Sequence, residues 1–199
     1  QKIYTPAVHP REPFATGRDL FVSPFYEREV ALGGYFMEVA GWERAHGYKA
    51  NEESLLTKYR DQVPVRHAEW DNRHFWEVSN AEHLELSESV GMINLSHFAI
   101  YDIRGRDAES LLEYLAVAKV GGDTKIGKGV YTHFLSADGG IRADLTIVRL
   151  SADLYRVICG GDTGHRDLTW IRKMAEVRGA EIEISNQTHQ LATLGLWGP

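Results

Sequence analysis

Apolar and polar side chains alternate most clearly between residues 127 and 159. Three runs there, 127–135, 141–148 and 156–159, are filled with β-branched and aromatic residues, the composition of strands. Asp138-Gly139-Gly140 separates the first two and supplies the positive φ angles of a tight reversal, so the runs read as a meander. In the second run Ile141, Ala143, Leu145 and Ile147 share one face, while Arg142, Asp144, Thr146 and Val148 share the other. Helical spacing flanks the meander. After Gly105-Arg106-Asp107, the residues Ala108, Leu111, Leu112 and Leu115 form one apolar stripe, and Leu168, Ile171 and Met174, with Trp170 nearby, form another within a helix over 164–177. Ser23-Pro24 opens a short helix that Gly33-Gly34 closes. A further short helix is expected over 52–60. Asn80 reads as the N-cap of a helix through Ser89 that ends at Gly91, followed by one strand over 92–103. Strands over 181–185 and 190–196 close the pattern. Residues 63–77 show none, and their aromatics Trp70, Phe75 and Trp76 read as core or domain contacts. The succession predicts an α+β fold with a largely antiparallel sheet and helices packed on one face.

Composition narrows the class. The chain has 199 residues, 43% of them hydrophobic and 25% charged, enough for one substantial core. No apolar run approaches the roughly 18 residues that would span a bilayer, so no membrane partner is expected. Net charge is −6, and no Lys/Arg cluster in the sequence offers a face for phosphate backbones, so no nucleic-acid partner is expected either. An anionic small molecule needs only one or two local cations and stays open. The single cysteine, Cys159, cannot form an internal disulfide and fits a reducing compartment, cytoplasm or mitochondrial matrix; within an apolar strand it reads as a packed thiol. Residues 1–22, with Pro6, Pro10 and Pro13, read as an extended connector lying on a surface.

Asp144 is the residue that asks for an explanation. A carboxylate inside a hydrophobic strand costs several kcal/mol if covered and unpaired. Either Arg142 or Thr146 satisfies it on an exposed sheet face, or it handles a proton or orients an amine at the bottom of a pocket; the strand pattern alone leaves both open. Other chemistries are missing from the sequence. No Gly-x-Gly-x-x-Gly follows a strand, and Gly160-Gly161-Asp162-Thr163-Gly164 reads as a strand-to-helix turn, so any flavin is bound elsewhere. No P-loop, nucleophile elbow or Cys-x-x-Cys occurs, and the nine histidines give no i, i+4 metal pair with a third ligand.

Asp138-Gly139-Gly140-Ile141-Arg142-Ala143-Asp144-Leu145 resembles the Gly-Gly-Ile-x-x-Asp-Leu segment of the folate-binding aminomethyltransferases, the T-protein of the glycine cleavage system and its relatives. Further matches follow in the family's order: Ala40-Gly41-Trp42-Glu43, Val90 through His97, Val130-Tyr131, Asp167 through Ile171, and Leu194 through Pro199. The start, Ser23-Pro24-Phe25-Tyr26, then Gly33-Gly34-Tyr35-Phe36 and Gly41-Trp42-Glu43-Arg44, looks like the branch in which this unit follows a flavin-dependent amine oxidoreductase of the dimethylglycine or sarcosine dehydrogenase type. His9-Pro10 and Gly17-Arg18 resemble the exit from that flavin part.

The resemblance implies a linker over 1–22 and a T-protein-like folate-binding domain over 23–199, truncated on its C-terminal side, with roughly half of the pocket lying beyond Pro199. It implies tetrahydrofolate as the one-carbon acceptor and FAD in the full-length parent, not on this segment. The implied partners are a flavin domain or subunit, the remainder of the folate domain and a small-molecule N-methylated amine. Asp144 matches the second acid of the family's frequent Asp-Asp pair and is the implied catalytic group. Its pKa would be tuned by partial burial beside a pterin-shaped cavity. The first acid is replaced by Ala143, which points to the opposite face. Tyr131, Phe98 and Ile158 match pterin-lining positions, and Thr146 shares the face of Asp144. Gly160 stands where the T-protein has asparagine, and Val148 replaces a tyrosine. His97 holds the family's Ser-His position and either lines the pocket or is structural. A non-catalytic folate-binding or docking module, and a stand-alone folate-dependent S- or O-demethylase, are the competing expectations.

Overall fold

The computed structural model describes residues 12–68 and 74–199, so Trp70 and the first half of the expected linker lie outside the described residues. The chain divides into two compact units, one running to Leu95 and rejoined by Leu194–Pro199, the other spanning Ser96–Thr193.

In the first unit Ser23 accepts the amide of Phe25 on its hydroxyl at 3.1 Å and that of Tyr26 on its carbonyl, starting helix α1 (Tyr26–Ala31). A hairpin follows, β1 (Gly34–Val39) and β2 (Trp42–Tyr48), which periodicity did not reveal. Its two-residue turn places Ala40 and Gly41 at φ of 53° and 87°, the positive pair that suits the twist of a hairpin. Part of the expected connector is fastened here: Phe21 exchanges backbone hydrogen bonds with Gly41 and Glu43, and the buried Glu43 accepts the Arg18 guanidinium and the amide of Asp19. The helix expected over 52–60 is α2 (Glu52–Lys58). The helix expected to begin at Asn80 begins a turn earlier, as α3 (Trp76–Glu88), and the Asn80 amide donates to the Trp76 carbonyl at 2.7 Å. Asn80 is thus an interior residue bonding back four positions, and burial of Val78 and Ala81 carries the helix through the apparent cap.

The strand expected over 92–103 is two strands. β3 (Gly91–Asn94) belongs to the first unit, where it pairs antiparallel with β9 (Leu194–Trp197); β4 (Ala99–Arg104) belongs to the second. Leu95 to Phe98 breaks the run.

The second unit is a five-stranded antiparallel sheet in the order β5-β6-β7-β4-β8, with β5 (Gly129–Leu135), β6 (Ile141–Arg149), β7 (Leu154–Cys159) and β8 (Glu183–Asn186). The meander and its alternation are as expected. Ala143, Leu145 and Ile147 are buried with Phe134, Tyr155, Val157, Tyr101 and Ile103 beneath α4 (Ala108–Leu115) and α5 (Gly164–Arg178). Leu111, Leu112, Leu168 and Ile171, the two stripes read from the sequence, are the helices' contribution to this core. The mixed helix and antiparallel-sheet architecture is the predicted α+β fold.

Candidate functional site

The meander carries two faces because strand side chains alternate, and only one is buried under the helices. The other bears nearly all of the residues singled out from the sequence. Tyr131 stands opposite Thr146, and Thr146 opposite Ile158, so these three form one row across β5, β6 and β7. Val148 shares the face, opposite Arg156, but lies four residues from Asp144 along β6, about 13 Å at strand rise. Phe98 immediately precedes β4 and Gly160 immediately follows β7. Since Ala99 pairs with Cys159, both sit at the end of the sheet nearest Asp144.

At that end the Tyr131 hydroxyl donates to Asp144 Oδ2 at 2.6 Å. The pairing is diagonal, from Tyr131 to the residue two places along from its cross-strand neighbour, within reach of an aromatic side chain. This bond to the carboxylate holds the Tyr131 phenol above its usual range, since losing its proton would set two anions together. His133, directly opposite Asp144, packs edge-on against the Tyr131 ring with centroids 5.4 Å apart. His133 was missed in the sequence, although its i, i+2 spacing from Tyr131 already put it on the same face.

Two expectations about this site are corrected. Asp144 is exposed, not partly buried, and none of three cavities of about 350 to 830 Å³ among the described residues includes it in its lining. The physical reason is one-sided packing: both helices of the unit lie on the Ala143 face, and the Asp144 face has no layer over it within the unit. Arg142 does not share the face of Asp144. The register slips by one residue between Phe134 and Leu135, leaving Arg142 as the extra residue of a bulge, with its guanidinium over the Trp170 ring of α5 at 4.3 Å. Arg142 is therefore not the partner of Asp144; Tyr131 is.

The expectation for Ala143 is met, since it is 3% exposed and faces the core. Gly161 is fixed by close approach: a Cβ there would overlap the His97 carbonyl oxygen, so the loop after β7 presses on the His97 backbone. At Gly160 a Cβ would meet Asp162 Oδ1 at 2.9 Å, the end of a flexible side chain that can turn aside, so nothing in the backbone here requires glycine. Cys159 is buried, and desolvation first, with Asp167 second, pushes its thiol up to about 12, so it is a packing residue.

An open sheet face bearing a carboxylate tied to a tyrosine, with Thr146, Ile158 and a histidine around it, can accept N–H donors, shuttle a proton and seat a flat ring. That arrangement and the fold are compatible with an aminomethyltransferase-like module, and the class is decided by comparison with known proteins. Residues 25–199 match the family model described as GCVT N-terminal domain, and the chain belongs to that family. Among curated relatives it is 34% identical to 4-methylaminobutanoate oxidase (formaldehyde-forming) of Paenarthrobacter nicotinovorans, over 97% of this chain and 22% of that protein. It is 32% identical to the mitochondrial dimethylglycine dehydrogenase of Mus musculus, over 80% of this chain and 17% of that protein. Its fold is similar to that of the glycine cleavage system aminomethyltransferase T from Bartonella henselae, with a TM-score of 0.64, 22% identity, 91% of this chain covered and 41% of the other. The chain spans about a fifth of the length of the curated relatives it matches. Among the described residues no helix is long and apolar enough to cross a membrane.

Proposed function

We propose that this chain is the tetrahydrofolate-dependent one-carbon acceptor module of a demethylating flavoprotein that acts on an N-methylated amine such as dimethylglycine or sarcosine. The single observation that carries the reading is the Tyr131–Asp144 pair presented on the open face of the meander beside Thr146 and Ile158. The names of the two curated relatives, both enzymes of N-methylated amines, support the amine class.

The residues fit a reduced pterin in kind. Such a ring is flat and edged with N–H donors, and this face offers a carboxylate acceptor, a hydroxyl and the apolar surfaces of Ile158 and Phe98. Bound there, tetrahydrofolate would supply the nucleophilic nitrogens that take up the one-carbon unit as 5,10-methylenetetrahydrofolate. Asp144 would accept a hydrogen bond from a ring N–H at Oδ1 and take the released proton at Oδ2, the oxygen Tyr131 already orients. Tyr131 would hold that carboxylate in one rotamer, and Ile158 with Phe98 would seat the ring. Gly160 would leave the ring without the polar contact that an asparagine could give, while Val148 lies too far along β6 from Asp144 to touch a ring held there. FAD belongs in this reading to a separate flavin domain or subunit, and the rest of the folate domain would cover the Asp144 face. The setting would be cytoplasm or mitochondrial matrix.

The exposure of Asp144 favours a second reading, a folate-binding or docking module without turnover. The intact protein separates them. Wild type and Asp144→Ala are titrated with tetrahydrofolate, and formaldehyde release is compared with methylenetetrahydrofolate formation during amine oxidation. Loss of coupled product with folate still bound supports the catalytic reading. Coupling unchanged by the substitution overturns it, and binding without any coupling in wild type leaves the docking module.

A further inference from the structure

The helix side of the second unit carries a feature that the folate reading does not use. Arg142, His165, Arg166, Thr169, Trp170 and Lys173 line a shallow groove of about 350 Å³ between the start of β6 and α5. That is room for roughly ten waters, enough for a small polyvalent ion. Arg166 is already committed: Nε donates to the buried Asp167 at 3.1 Å, and Nη2 donates to the Arg142 carbonyl at 2.9 Å. Thr169 spends its hydroxyl on the His165 carbonyl.

Arg142 and Lys173 are different. Among the described residues neither forms an ion pair, whereas Arg104, Arg106, Arg149 and Arg156 of the same unit each reach a carboxylate. Regular pairing of β6 would have set Arg142 on the face of Asp144, where a counter-charge was available. The bulge instead turns it onto Trp170. Stacking on an indole contributes about 0.5–1 kcal/mol at an exposed site and does not neutralise the charge. Asp138, in the turn before β6, feels that charge as a minor influence that helps hold its carboxyl below the usual range, without an ion-pair contact. It also fixes the guanidinium plane while freeing its N–H edge, the geometry that meets a carboxylate or phosphate with two bonds. Of the three cations around this small groove Arg166 has Asp167 as its counter-ion, whereas Arg142 and Lys173 have no carboxylate in ion-pair contact among the described residues.

We propose that the groove between β6 and α5 binds a compact polyanion of the phosphate or carboxylate kind, with Arg142 and Lys173 as its charge contacts. The groove is on the side of the sheet opposite Asp144, so this proposal and the folate reading stand or fall separately.

The test is calorimetric titration of the intact protein with pyrophosphate and, separately, with citrate, at low and at roughly physiological salt. Saturable binding is expected, weakened about tenfold or more by Arg142→Gln and again by Lys173→Gln, as loss of a charge-assisted hydrogen bond implies. Lys128→Gln, at an exposed lysine in the loop before β5, should leave it unchanged. Lys173 is exposed and unpaired, so its variant folds as wild type and keeps the test valid if Arg142→Gln does not. Binding of pyrophosphate alone assigns a phosphate ligand, of citrate alone a carboxylate. No binding of either probe, or equal binding by the variants and wild type, overturns the proposal.

Discussion

Replacing Arg18 by Met tests how the segment ahead of β1 is held. The Glu43 side chain is fully buried, with 0% exposure, and the Arg18 side chain is 30% exposed. The guanidinium donates from Nε to Glu43 Oε1 at 2.8 Å and from Nη2 to Oε2, and the Asp19 amide adds a bond at 2.9 Å. The variant leaves a buried carboxylate with the Asp19 amide as its remaining partner from this group. Breaking a buried pair from one side costs about 3–5 kcal/mol. Water can follow the truncated side chain into this partly open site, so we expect about 2–3 kcal/mol, or a fall in Tm of roughly 4–12 °C. The loss should depend on pH. In wild type the Arg18 guanidinium holds the Glu43 carboxyl below its usual range, so the pair's stabilisation is present above the unfolded pKa and disappears as pH falls through the folded one. In the variant, burial raises the folded pKa, and the penalty is relieved once the carboxyl is protonated. The two proteins should therefore differ most near neutral pH and converge below about pH 4. Thermal unfolding followed by circular dichroism at the two pH values reads this directly. A loss under about 0.5 kcal/mol, or one that is equal at both pH values, would show that the pair contributes only as a surface contact does.

An acid at position 143 should be harmful: Ala143→Asp puts a carboxylate beneath the helices beside Phe134 and Leu145, and we expect a loss of about 3 kcal/mol or more that grows from pH 5 to pH 8 in urea unfolding. Leu112→Ala, at a side chain with 0% exposure, should cost about 2–5 kcal/mol in the same assay; a loss under 1 kcal/mol would place α4 outside the core. Cys159 should resist alkylation at pH 8 in the native protein and react only on unfolding, which mass spectrometry after a timed iodoacetamide pulse would show.

The local pattern determined much of this molecule. Alternation in 141–148 assigned Ala143 and Asp144 to opposite faces, and the stripes Ala108-Leu111-Leu112-Leu115 and Leu168-Ile171 assigned two helices, because strand and helix periods act between near neighbours. What depended on distant partners was decided only in three dimensions. The bulge that turns Arg142 away from Asp144 arises in the pairing of β5 with β6. The break at Leu95 to Phe98 and the pairing of β3 with β9 join segments about a hundred residues apart, and no short-range signal encodes them. The exposure of Asp144 follows from both helices choosing the same side of the sheet. A groove with Arg142, Arg166 and Lys173 on its walls arises where β6 meets α5, although the sequence has no basic cluster. Side-chain direction is a property of a strand, whereas what lies over a face is a property of everything packed against it.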